Sequence, residues 1–214
     1  MIRIVAGTLG GRRLRTPPGL TTRPTAERVR QALFNILGPL PPGCTVWDLC
    51  AGSGALGIEA LSRGAGQAIF VDSDPIACRV LRQNLVDLGL ASRTQVVHAP
   101  LSRFLAGKPP SEPVELLLAD PPYASGELGR LLDWLALHAA SCLTETGRVV
   151  IETDLRHADS LSIGTHRGEL LCTDTRRYGD TVLLFWEASP AVGDGSSSLA
   201  EFGKLREPKR QCSP

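Results

Sequence analysis

Paired cysteines, clustered histidines and long apolar runs are all missing from this sequence, and each absence excludes something. The cysteines Cys44, Cys50, Cys78, Cys142, Cys172 and Cys212 contain no C-x-x-C pair. That argues against a disulfide framework or a zinc site, and for reduced thiols in a cytoplasmic protein. His98, His138, His157 and His166 are equally dispersed, so no metal is expected. No apolar run approaches membrane-span length, and Met1-Ile2-Arg3 does not open a signal peptide. There is no internal repeat. What remains, 43% apolar and 21% charged residues in a chain of 214, suits one α/β domain with a well-buried core.

The net charge of +1 conceals an asymmetry. Residues 1–30 hold seven arginines, at positions 3, 12, 13, 15, 23, 28 and 30, against Glu27 alone. The stretch 188–214 is close to neutral, so the middle of the chain is acidic. A basic arm on an acidic body predicts a polyanionic partner that meets the arm, and arginine as its sole basic residue type suits phosphate.

Pattern gives the organisation. "IRIVAGTLGGRRLRTP" reads as a hairpin about Gly10-Gly11, and "PTAERVRQALFNILG" as a helix with Val29, Leu33, Ile36 and Leu37 on one face. Strand-like runs follow at 45–49, 67–72, 94–98, 114–120 and 147–153, with helix candidates at 55–64, 75–89, 101–106 and 127–141. Such alternation predicts right-handed crossovers and a mostly parallel sheet. Two further strands around Tyr178-Gly179-Asp180 predict a closing antiparallel hairpin. The Ser-, Gly- and Pro-rich stretch from Ala188 to Pro214 reads as a disordered tail. The expected division is an arginine-rich hairpin and helix (1–40), a main domain (41–187) and the tail (188–214).

Gly52-Ser53-Gly54-Ala55-Leu56-Gly57 satisfies G-x-G-x-x-G after a strand, and Asp72 follows twenty residues past Gly52 at the end of the next strand. Taken alone this is a dinucleotide fingerprint; Asp72 suits the ribose diol of any adenosine-bearing cofactor. Asp48 tips the choice. A carboxylate four residues before Gly52 would repel a pyrophosphate but favour the sulfonium and ammonium of S-adenosylmethionine. It could also serve as a cap for nearby backbone N–H groups.

"LLADPPYASG" (117–126) ends a buried strand on two prolines. Its plain reading is a strand stop and a turn. With a methyl donor beside it, the stretch acquires a chemistry. The Asp120 carboxylate and Pro121 carbonyl can hold the hydrogens of an exocyclic amine and turn its lone pair outward, Pro122 fixes their positions, and Tyr123 can stack on the base, a contact worth ~1–3 kcal/mol.

"DLCAGSGALG" followed by "DPPY" resembles the amino-group methyltransferases of the class I S-adenosylmethionine fold. "RIVAGTLGGRRLRTP", "RPTAERVRQALFNIL" and "DLCAGSGALGIEALSRGA" resemble the bacterial family that methylates guanine N2 in 16S ribosomal RNA. The resemblance runs from about Arg3 to Trp186. It implies a Rossmann-like fold with a mostly parallel seven-stranded sheet, S-adenosylmethionine as cofactor and a monomer. It also implies 16S rRNA as partner, in an assembled or partly assembled small ribosomal subunit. The cofactor would be held by Asp48, Ala51, Gly52, Ser53, Gly54, Asp72 and Ser73, the target guanine by Asp120, Pro121, Pro122 and Tyr123, and the RNA by Arg3, Arg12, Arg13, Arg15 and Arg23. The sequence departs from the pattern at "HAPLSRF", where Pro100 offers neither side-chain partner nor N–H. Adenine recognition then falls to backbone groups or to Ser73. An adenine-N6 methyltransferase acting on DNA or RNA is the alternative, though there is little room for a target-recognition region between Tyr123 and Gly147. A dehydrogenase leaves "DPPY" and the arm unexplained, and a non-catalytic RNA-binding module has no need of Asp72 and Asp120.

Overall fold

The alternation of apolar runs with helical periodicity folds as one doubly wound sheet. The structure, a computed structural model, describes residues 1–18, 24–107, 112–122, 126–158, 161 and 163–189. Arg23, Tyr123 and the stretch 190–214, read from sequence as an RNA contact, a stacking ring and a disordered tail, lie outside the described residues.

The short strands β1 (Ile2–Arg3) and β2 (Arg13–Leu14) pair as the expected hairpin and lead to helix α1 (Pro24–Leu37). Then follow β3 (Thr45–Leu49), α2 (Ala55–Ser62), β4 (Gln67–Asp72), α3 (Pro75–Asp87) and β5 (Thr94–His98). The alternation continues through α4 (Leu101–Leu105), β6 (Val114–Ala119), α5 (Glu127–Cys142) and β7 (Leu143–Asp154). A short α6 (Leu155–Ala158) and strands β8 (His166–Arg167), β9 (Leu170–Tyr178) and β10 (Thr181–Ala188) complete the described elements.

The large sheet runs β5-β4-β3-β6-β7-β10-β9-β8. Pairings among β3 to β7 are parallel, and those of β8, β9 and β10 are antiparallel. The expected seven-stranded sheet is present, with the two-residue β8 added at its edge. From β3 the chain winds outward to β5, then returns to the other side of β3 as β6. The carboxyl ends of β3 and β6 therefore face a crevice at the point where winding reverses, which is where open α/β sheets bind ligands.

The central strands bury both faces. Along β6, Leu117 and Ala119 join the core beneath α5, while Leu116 and Leu118 join the core beneath α1, α2 and α3. The hairpin and α1 belong to that second core through Ile4, Leu14, Val29, Leu33, Phe34 and Leu37. Ile36, expected on the buried face of α1, is 37% exposed. Phe34 is buried instead, because the stripe follows four-residue steps through Val29, Leu33 and Leu37 and widens toward Phe34. Strand β7 begins earlier than the expected 147. Its pairing with β6 shifts register between Val114 and Leu116, and residues 144–147 absorb the irregularity.

The hairpin is fastened to α2 and α3 by buried polar groups. Glu59 accepts hydrogen bonds from the backbone N–H of Val5 (2.7 Å) and Ala6 (3.0 Å), and pairs with Arg63 (2.8 Å) and with Arg30 (3.6 Å). Ser62 accepts from Leu9 N–H and donates to the Ala6 carbonyl. Gly7 sits at φ +82°, and a Cβ there would come within 1.9 Å of the Ser62 carbonyl oxygen, so no side chain fits.

Candidate active site

The turn between β3 and α2 is built around positive φ angles at Cys50 (62°), Gly52 (55°) and Gly54 (80°). Each glycine has its own reason. A Cβ on Gly54 would meet Leu81 at 2.3 Å and one on Gly57 would meet Phe70 at 2.4 Å, so α2 packs against its neighbours through these glycines. Gly52 has nothing within 4 Å of its missing Cβ, and so leaves its backbone open to an approaching molecule.

Two carboxylates hold this turn. Asp72, at the end of β4, accepts from the N–H of Gly52 (2.7 Å) with one oxygen and of Asp74 (2.8 Å) with the other. Each oxygen keeps a further lone pair for a ligand hydroxyl. Asp48 accepts from the N–H of Gly57 (2.8 Å) and so satisfies an early N–H of α2, whose N-cap Gly54 has no side chain to do it. The second Asp48 oxygen is buried without a hydrogen-bond partner. Burial above all, aided by the nearby Asp120 and Asp72, pushes the Asp48 carboxyl up to about 8 against the pull of the Gly57 N–H.

Across the crevice, Asp120 follows the last residue of β6, and its N–H bonds the Leu49 carbonyl (3.3 Å), tying the shelf to β3. Solvent reaches Asp120 from the mouth of the cleft, yet the protein packed around its carboxyl raises it to about 6. Glu152 on β7 is half-buried and is pushed up to about 8, first by burial and then by Asp120, with Arg30 opposing.

These ends enclose a cleft of about 850 Å³. Of the residues expected at the site, Asp48, Ala51, Gly52, Ser53, Asp72, Ser73, Asp120 and Pro122 line it. Gly54 lies beneath, packed on Leu81, and Pro121 is buried behind Pro122. Ala77, Ala99 and Leu101 form an apolar wall beside Asp72, suited to a flat ring. Pro100 stands between two of these residues as an exposed N-cap of α4. Sequence reasoning missed Glu152, Arg30, Glu127 and Tyr178, which also line the cleft. An acidic residue directly after the apolar run "VVI" was the available signal for Glu152.

Of the arginines expected to contact RNA, the described ones, Arg3, Arg12, Arg13 and Arg15, do not line the cleft. Arg15 pairs with Asp87 at the far end of α3 (3.1 Å), and Arg12 donates to the Asp87 carbonyl (3.2 Å). The Arg13 side chain is exposed and has no hydrogen-bond or ion-pair partner among the described residues. Arg3 extends from β1, and its carbonyl accepts from Arg30. Buried Asn84 holds the backbone of Arg15 through both N–H and carbonyl, and its amide also donates to the Ser53 carbonyl (3.0 Å). No described group of histidine, cysteine and carboxylate side chains could hold a metal ion, and no described helix is long and apolar enough to cross a membrane.

A family model described as conserved hypothetical protein 95 matches residues 2–187. The "Putative rRNA methyltransferase YlbH" of Bacillus subtilis is 36% identical over 187 residues, which are 87% of this chain and 98% of the relative. The "Ribosomal RNA small subunit methyltransferase D" of Escherichia coli K12 is 40% identical over 134 residues, 63% of this chain and 66% of the relative. Among solved structures, "Putative methyltransferase yhhF from Escherichia coli" superposes with a TM-score of 0.74 at 31% identity, covering 88% of this chain and 98% of that one.

Proposed function

The chain belongs to the conserved hypothetical protein 95 family, and from that premise we propose that it methylates the exocyclic N2 amine of a guanine in 16S ribosomal RNA, using S-adenosylmethionine. One observation carries the reading. The glycine turn with Asp72 and the Asp-Pro-Pro shelf, distant in sequence, open into a single cleft at the reversal point of the sheet.

The residues present fit the cofactor. The buried, unpartnered Asp48 oxygen suits a cationic group, Gly52 leaves room for close approach, and Asp72 has lone pairs for a diol. Bound there, S-adenosylmethionine supplies an electrophilic methyl group. The chain's own residues do the rest. Asp120 and the Pro121 carbonyl accept the two amine hydrogens and orient the lone pair, while the double proline fixes the acceptors in place. Tyr123 stacks on the base in this reading. Once the nitrogen has bonded the methyl group it releases a proton, and Asp120, raised to about 6 and open to solvent, can take it up. The basic arm meets the phosphate backbone, and the substrate is an assembled or partly assembled small subunit.

The names of the relatives support rRNA as substrate class. Transfer of label from methyl-labelled S-adenosylmethionine to rRNA, followed by nucleoside analysis, tests the reading. N2-methylguanosine is the expected product; N6-methyladenosine or no transfer refutes it.

A further inference from the structure

Two cleft groups are left over once cofactor and amine have been assigned, Glu152 and Arg30. In the parallel pairing of β6 with β7, Ala119 lies opposite Ile151. The next positions, Asp120 and Glu152, therefore leave neighbouring strands side by side, with about 4.8 Å between the strands. Both residues line the cleft. The Glu152 carboxylate accepts no hydrogen bond from any described residue, and its electrostatic neighbours are Asp120 and Arg30. Arg30 lines the same cleft and is 5% exposed, its guanidinium anchored by the Glu59 carboxylate, 3.6 Å from Nε, and by the Arg3 carbonyl. Its own electrostatic neighbours include Glu152. The register makes Asp120 and Glu152 a row of two acceptors, and Arg30 is a donor whose charge reaches Glu152.

We propose that Asp120, Glu152 and Arg30 read the Watson–Crick edge of the target base, and that Glu152 is the residue that selects guanine. Along that edge guanine presents its N2 amine, then N1–H, then the O6 acceptor, the complement of two acceptors and a donor. Adenine and cytosine each follow their amine with a ring nitrogen lone pair, which would face the Glu152 carboxylate. A half-buried charge left without a donor is a strong reason for rejection. The inference deepens the guanine-N2 reading and rests on it. In the free protein Glu152 holds its proton up to about pH 8. The N1–H and Arg30 favour its charged form as the base docks.

The test uses the full chain above about pH 8, where Glu152 is ionised. Its substrates are reconstituted small subunits whose rRNA carries the mapped guanine and the same subunits with 2-aminopurine there. This base keeps the amine but has an N1 lone pair and no O6. Wild type should prefer guanine by roughly a hundredfold or more in kcat/KM. Glu152→Gln should lose about 10- to 100-fold on guanine. On 2-aminopurine it should hold or improve, since the carboxamide can donate to N1. The preference should collapse while S-adenosylmethionine affinity is retained. An unchanged preference, or an equal loss on both bases, overturns the inference while leaving guanine methylation standing. Methylation of adenine and not guanine by wild type overturns the proposed function and the inference together.

Discussion

Asp48 is buried, with a single hydrogen bond to one oxygen and no donor for the other, and burial makes it bind a proton far more tightly than a carboxyl in an unfolded chain. Asp120 and Glu152 shift the same way, to about 6 and about 8. Between about pH 4 and about pH 8 the folded state therefore holds more protons than the unfolded state, and stability falls as pH rises through that window. Asp87 and Asp154 are held low, chiefly by hydrogen bonds from Gln83 and His157, and act only below it. Asp48→Asn removes one of the largest contributions, so its Tm should decline less steeply than that of wild type from about pH 5 to about pH 9. Thermal melting across that range checks this. Asp72→Ala should weaken S-adenosylmethionine binding by ~1.5–3 kcal/mol, part of it through the freed Gly52 turn; calorimetry that finds wild-type affinity would remove Asp72 from the site. Asp120→Ala should abolish transfer with cofactor affinity nearly intact, since its proposed partner is the base. Single-turnover transfer within a few-fold of wild type would discard the orienting role.

At the scale of elements, the hairpin and α2 share one buried anchor. Glu59 is wholly buried, and Arg30 beside it is nearly so. Glu59→Ala would strand that guanidinium and free the N–H groups of Val5 and Ala6, at a cost of about 3–5 kcal/mol. Denaturant unfolding should register the loss, and proteolysis should cut the loosened hairpin first. The elements themselves were legible where punctuation was local. Pro75 and Gly89 bracket α3, and Gly38-Pro39 stops α1 at the expected place. The glycine turn and Asp72 were legible for the same reason, being fixed by short spacings. Glu152 was not, because its nearness to Asp120 depends on which strands become neighbours, nor was Arg30, whose nearness to Glu152 depends on how α1 packs; no local pattern encodes either. The early start of β7 was hidden because the apolar run begins only after Gly147, while residues 144–147 form an irregular part of the strand.

Over the whole molecule, an acidic body would repel RNA, and in the proposed reading the arm supplies most of the attraction. Arg15 gives up little to reach a phosphate, since its pair with Asp87 is largely exposed. Replacing Arg12, Arg13 and Arg15 with Gln should flatten the slope of log affinity against log salt by ~0.7–0.9 per lost contact. RNA titrations at several salt concentrations measure it, and an unchanged slope with a lower Tm would mean that these arginines only brace the hairpin. The order of the sheet has a consequence for how the chain is made. Strand β10 is the last described in sequence but lies between β7 and β9, and it brings the fully buried Leu183, Leu184 and Trp186. During synthesis β7 therefore waits as an open, sticky edge until Ala188 has cleared the exit tunnel. A chain released before that point has every residue of the cleft except those of β10, yet lacks the strand that seals the sheet, and aggregation is its expected fate.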